Sequence, residues 1–237
     1  MDMAAYVLTT CATVAEAVAA IESVVVWAAP IPVIGVPLFH LVLHDGSGAA
    51  AVVEWLGGTR QVYENPIGVA TNSPPFDWHL INLRNYVNQT PTDVSPVTVE
   101  GTALTPIGQG SGMLGLPGDF TPPSRFVRAL AFAATARRPA TAATGAGTVM
   151  HLLSSFDITN GVIRDPAPEG VTAAQAEGLG DYAGFASVAE LSDSPAYTER
   201  TYDHSGQRRV CLADIELSSG PARAHSIVPG PPTPITF

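Results

Sequence analysis

The chain has 237 residues, 46% hydrophobic and 14% charged, with a mean hydropathy of +0.21. That is length for one large domain or two small ones, with apolar mass enough for a sizeable core, which excludes disorder on composition. The 21 acidic residues outnumber 11 basic ones, all arginine, for a net charge of −10, and no arginine cluster of the kind a nucleic-acid binder uses stands out.

The first residues carry no basic n-region, so the start does not read as a signal peptide. Thr13-Val14-Ala15-Glu16 is a capping-box pattern and predicts an alanine-rich amphipathic helix through Ile21. The most apolar stretch, residues 24–39, contains Pro30, Pro32, Gly35 and Pro37. Four breakers so close together argue against a membrane-spanning helix, and the chain reads as soluble. The period then drops to two. Residues 39–44, 50–56 and 60–63 predict strands, joined through Asp45-Gly46-Ser47-Gly48 and Gly57-Gly58 into an antiparallel meander. Asn65-Pro66 marks a turn.

A second helix is expected over residues 76–87, with Phe76, Leu80, Leu83 and Val87 on one face. Residues 89–118 are rich in Pro, Thr and Gly and read as loop. Thr121-Pro122-Pro123-Ser124 opens a third helix, with proline where no amide hydrogen is needed, running to about residue 136. Residues 148–156 suggest a fourth helix. Short strands follow around residues 182–191, 197–203 and 209–215, and a proline-rich tail at 229–234 should be extended. The pattern is α+β, in one domain over residues 1–237.

Several local motifs fail on their context. Gly110-Ser111-Gly112-Met113-Leu114-Gly115 spells a dinucleotide fingerprint, but Pro106 and Leu116-Pro117-Gly118 leave it no strand before and no helix inside. It reads as a glycine loop that places the next helix. Gln109 denies Ser111 the first glycine of a nucleophile elbow. The six histidines are scattered without metal-ligand spacing, and two cysteines 200 residues apart, Cys11 and Cys211, give neither a disulfide framework nor a metal-ligand spacing. No cofactor or metal is expected.

Two segments stand apart. A strand-like run delivers Asn72 into the tight turn Thr71-Asn72-Ser73-Pro74-Pro75 ahead of a helix. Asn72 is either a turn residue capping its own backbone or a polar group presented to a site. A glycine-rich loop delivers Arg125 into the first turn of the third helix, the end at which the helix dipole prefers an acid. Arg125 is either a solvated charge or the partner of an anion or a thiolate.

These segments resemble the choloylglycine hydrolase family, which includes penicillin V acylases and bile salt hydrolases. The resemblance begins at Leu8-Thr9-Thr10-Cys11-Ala12-Thr13-Val14 and includes Val62-Tyr63-Glu64-Asn65-Pro66-Ile67-Gly68-Val69. It continues through Thr71-Asn72-Ser73-Pro74, Phe76-Asp77-Trp78-His79-Leu80 and Asn82-Leu83-Arg84-Asn85-Tyr86. It resumes at Gly115-Leu116-Pro117-Gly118-Asp119-Phe120 and Ser124-Arg125-Phe126-Val127-Arg128. Phe76-Asp77-Trp78-His79 and Gly108-Gln109-Gly110 look closer to the penicillin V acylase branch.

The resemblance implies an N-terminal-nucleophile hydrolase with an αββα sandwich, in which a cysteine at the mature N-terminus attacks a linear, non-peptide amide, its own α-amino group acting as base. It places Asn72 at the family's oxyanion-hole asparagine and Arg125 at its active-site arginine. The implied partner is a small-molecule amide resembling penicillin V, a conjugated bile salt or an acyl-homoserine lactone, with no nucleic acid or membrane. Relatives are often tetramers, and occur in the bacterial cytoplasm or periplasm.

The family's nucleophilic cysteine has no counterpart in this sequence, where Met1 is followed by Asp2. Cys11 matches an ordinary family position and Cys211 matches nothing catalytic. The expectation is therefore the C-terminal two-thirds or so of a linear amide C–N hydrolase, incomplete at its N-terminus and inactive by itself. The rival reading is a non-catalytic fragment or pseudoenzyme that serves as a binding or structural domain.

Overall fold

Helix α1 (Met3–Thr10) is followed at once by α2 (Val14–Glu22). The Thr13 capping box forms as the sequence predicts: its side chain accepts from the Glu16 amide, and the Glu16 carboxylate accepts from the Thr13 amide. A computed structural model describes residues 3–27, 29–30, 39–166, 172 and 180–215. The proline-rich tail and most of the proline-broken apolar stretch lie outside these residues. The chain divides into two compact units, Met1–Thr135 and Ala136–Phe237.

The first unit is built around the predicted meander. Strands β1 (His40–His44), β2 (Ala50–Leu56) and β3 (Thr59–Glu64) pair antiparallel in that order, with Val53 opposite both Leu41 and Val62. Gly57 and Gly58 both take positive φ, 58° and 81°, which a two-residue hairpin of right-handed twist requires. Residues 51–54 of the central strand are all buried, because both faces of the sheet are covered.

Alternation divides those residues between two cores. Val53 packs with Val7, Ala17 and Ile21 of the first two helices, flanked by Leu41, Leu43 and Trp55. Val52 packs on the other face with Val69, Phe76 and Phe126. The Asp45 carboxylate in the β1–β2 turn accepts from the Val14 amide at 2.8 Å and so ties the start of α2 to the sheet.

Helix α3 (Phe76–Asn82) tightens into a 3₁₀ turn, Leu83–Tyr86. This corrects the apolar face expected from a continuous 3.6-residue period. Phe76 and His79 are buried and Leu83 packs on the same core, so the inward stripe runs i, i+3, i+7 and leaves Leu80 at its exposed edge, while Val87 lies beyond the 3₁₀ turn and is exposed. The segment read as loop holds a small hairpin, β4 (Val97–Val99) with β5 (Thr102–Leu104), and a 3₁₀ turn at Ser111–Met113. Helix α4 (Pro122–Thr135) follows the expected bounds closely.

In the second unit, α5 (Ala142–Ser154) begins six residues earlier than the sequence suggested, at a Thr141–Thr144 capping box that the alanine- and glycine-rich composition hid. Its Ala146 and Met150 pack on Val188 of a three-stranded antiparallel sheet, β6 (Phe185–Glu190), β7 (Ala196–Thr201) and β8 (His204–Cys211). Arg209 grips the Glu190 carboxylate through two bonds of 2.7 and 3.0 Å. Across β7 and β8, Arg208 pairs with its register partner Glu199 at 3.2 Å. The fold is α+β. No described helix is long and apolar enough to cross a membrane.

Candidate active site

Asn72 and Arg125, 53 positions apart, meet. The Arg125 Nη2 donates to Asn72 Oδ1 at 2.7 Å, and its Nε donates to the Phe120 carbonyl at 3.0 Å. The guanidinium thus folds back over the start of α4. Two of the amides that would make this end positive are missing, because Pro122 and Pro123 have none.

An acid also serves the same end. Asp119 accepts from the Thr121 amide at 2.9 Å, the Thr121 hydroxyl at 2.5 Å and the Ser124 hydroxyl at 2.6 Å. Those donors, the Ser124 hydroxyl first, hold its carboxyl down at about 2. A depressed carboxyl stabilises the fold above its unfolded pKa, near 3.9, and loses that contribution as pH falls through its folded value. Asp119→Asn is therefore expected to be less stable than the parent at neutral pH, with the gap closing toward pH 2 in urea titrations. A gap independent of pH would contradict this.

The loop ahead of α4 is fixed by side chains rather than by sheet pairing. Buried Arg128 donates from Nη1 to the Pro117 and Asp119 carbonyls at 2.8 and 2.6 Å. Asp93 accepts from the Gly110 and Ser111 amides at 2.6 and 2.8 Å, which depresses its own carboxyl. Those amides are the ones a phosphate would need, so the glycine-rich loop is occupied from within. Gly112 is required by packing: a Cβ there would lie 2.1 Å from the Thr92 carbonyl oxygen.

On the other side of the pair, Asn72 sits in an exposed turn containing a cis Ser73–Pro74 bond. Its carbonyl accepts from His79 Nε2 at 2.9 Å. The entry to α3 is held by Glu54, a buried carboxylate on β2 that accepts from the Phe76 amide at 3.0 Å. Sequence reasoning treated His79 as one scattered histidine. Its position seven residues after Asn72, in the helix the turn feeds, was the available clue.

Cys11 does not join the pair. Cys11 packs on the α1–α2 side of the sheet, whereas Asn72 and Arg125 belong to the segments that feed and form α3 and α4. The Cys211 Sγ accepts from Arg209 Nη1 at 2.8 Å within the second unit. Among the described residues, no group of three or more His, Cys, Asp and Glu could hold a metal ion.

The α+β scaffold of antiparallel sheets and helices is in keeping with an N-terminal-nucleophile hydrolase fold. Solved structures agree. A mutant conjugated bile acid hydrolase from Clostridium perfringens superposes with a TM-score of 0.71 at 28% identity, over 88% of this chain and 60% of that one. Penicillin V acylase from Agrobacterium tumefaciens shares the fold with a TM-score of 0.59 at 22% identity, over 90% of this chain and 56% of that one.

The chain belongs to the choloylglycine hydrolase family of linear amide C–N hydrolases, whose model matches residues 1–219. It is 47% identical over 89 residues to a bile salt hydrolase/transferase of Clostridium perfringens, covering 38% of this chain and 27% of the relative. It is 30% identical over 182 residues to a bile salt hydrolase/transferase of Bifidobacterium longum, covering 77% of this chain and 54% of the relative. The chain spans at most 60% of the length of these four relatives.

Proposed function

We propose that the first unit supplies the oxyanion-stabilising side of a linear amide hydrolase acting on a penicillin V-like or conjugated bile salt-like substrate. The hydrogen bond from Arg125 to Asn72 Oδ1 carries this reading. With the oxygen engaged by a cation, the Nδ2 hydrogens are the end of the amide left to meet a substrate. As a thiolate attacks the amide carbonyl, negative charge gathers on its oxygen, and Asn72 Nδ2 donates to it. Because this donor is already oriented, little reorganisation is needed at the moment of reaction. The Arg125 guanidinium, beside the same point, favours the thiolate over the thiol. The tetrahedral intermediate collapses to a thioester as its nitrogen takes up the proton given up by the thiol and leaves as the amine, and water then hydrolyses the thioester to the acid and the free thiol.

The attacking thiol in this proposal is not Cys11, which packs on the α1–α2 side of the sheet, and the Cys211 Sγ is engaged by Arg209. The purified 237-residue chain is accordingly expected to leave penicillin V and glycine-conjugated bile salts unhydrolysed. Hydrolysis above background that a thiol reagent abolishes would assign the nucleophile to one of these two cysteines instead.

A further inference from the structure

Residues 70–74, the turn that carries Asn72, belong to no helix or strand, and their main chain is held by a hydrogen bond from His79 Nε2 to the Asn72 carbonyl at 2.9 Å. A carbonyl oxygen only accepts, so Nε2 carries the hydrogen. The imidazole is itself fixed. It is 1% exposed, stacks on the Phe126 ring at 4.6 Å and 14°, and meets the Trp78 ring edge-on at 5.4 Å.

Phe126 follows Arg125 directly, so neighbouring residues of α4 hold both clamps: Arg125 the Asn72 side-chain oxygen, Phe126 the ring that grips the Asn72 main chain. His79 Nδ1 is buried without a partner. A residue selected only to fill space would avoid that desolvated nitrogen, since a phenyl ring would pack there without it.

From this geometry we infer that His79 is a positioning residue: its Nε2–H fixes the Asn72 backbone and thereby the direction in which the Asn72 amide donates. The inference rests on the oxyanion reading of Asn72 for its consequence in catalysis, but not for the anchor itself.

Nitrogen-15 spectra of the 237-residue chain test the anchor without any variant. The expected result is the Nε2–H tautomer at His79, and the Nδ1–H tautomer would overturn the proposal. His79→Phe keeps a ring against Phe126 but cannot donate, whereas His79→Gln restores an N–H at similar reach. The Phe variant is expected to unfold cooperatively yet lose the dispersed Asn72 side-chain amide shifts, and the Gln variant to regain them. In a form of the enzyme that turns over substrate, the Phe variant should lose about 10²-fold in kcat with KM little changed, the scale set by small misplacements of a reacting group. The Gln variant should recover most of that loss.

A Phe variant with parental Asn72 shifts and kcat would show a packing role only and sink the proposal. So would a Gln variant that recovers neither. Unchanged turnover in Asn72→Ala would remove the oxyanion reading alone, and the tautomer and the amide shifts would still decide the anchor.

Discussion

Replacing Asn72 by alanine is expected to lower kcat by about 10²–10³-fold, the cost of deleting one preorganised oxyanion donor, the role proposed for it. KM should change little, because the bond to the oxyanion strengthens only as charge develops. The measurement is steady-state hydrolysis of penicillin V and of a glycine-conjugated bile salt, in a form of the enzyme that turns over. Urea unfolding should show the fold intact, since Asn72 is exposed and buries no apolar surface.

Arg125→Ala should fall by a similar factor, because Asn72 Oδ1 then loses the donor that orients it. Arg125→Lys is the more searching substitution. Lysine keeps the charge but cannot serve the Phe120 carbonyl and the Asn72 amide together as the planar fork does. It should therefore behave much more like alanine than like arginine. Parental turnover in both alanine variants would defeat the assignment of the site. Parental turnover in Arg125→Lys alone would reduce the role of Arg125 to its charge.

The largest effect on stability is expected at Phe126. Its side chain is 1% exposed, meets Phe76 edge-on at 6.1 Å, stacks on His79 at 4.6 Å, and closes the core beneath β2 with Val52 and Val69. Phe126→Ala should cost about 3–5 kcal/mol, the transfer term plus the cavity that rigid neighbours on β2 and α3 cannot close. The readout is the urea midpoint at constant slope. Because the same ring backs His79, turnover should fall as well in an active form. A loss below about 1 kcal/mol would mean that the site collapses freely around the deletion and that this core is less rigid than described.

Much of the architecture was legible because it is locally encoded. The Thr13–Glu16 capping box, the period-two runs of the meander, the Gly57–Gly58 turn and the proline-led start of α4 each depend on neighbours within a few residues, and each formed where expected. Misreadings arose where local patterns were weak or changed pitch. The start of α5 was hidden in a run of Ala, Thr and Gly with little hydrophobic contrast. Val87 was assigned to the core because a helical period was carried past the point where α3 tightens to 3₁₀, and Leu80 because the buried stripe follows His79 rather than its neighbour.

Of the site, the sequence by itself singled out Asn72 and Arg125, through a turn and a helix start that resembled a known family, and it marked Arg125 as out of place for the helix dipole. What that arginine binds could not be read from residues 53 positions away, because an arginine at a helix start looks the same whether solvated or engaged. Folding α3 and α4 onto one face of the sheet brings the two within 2.7 Å and sets His79 beneath the turn. Tertiary packing alone decided that the oxygen of Asn72 faces Arg125, and it did so because hydrogen-bond partners remote in sequence become neighbours only when a shared apolar core holds their elements together.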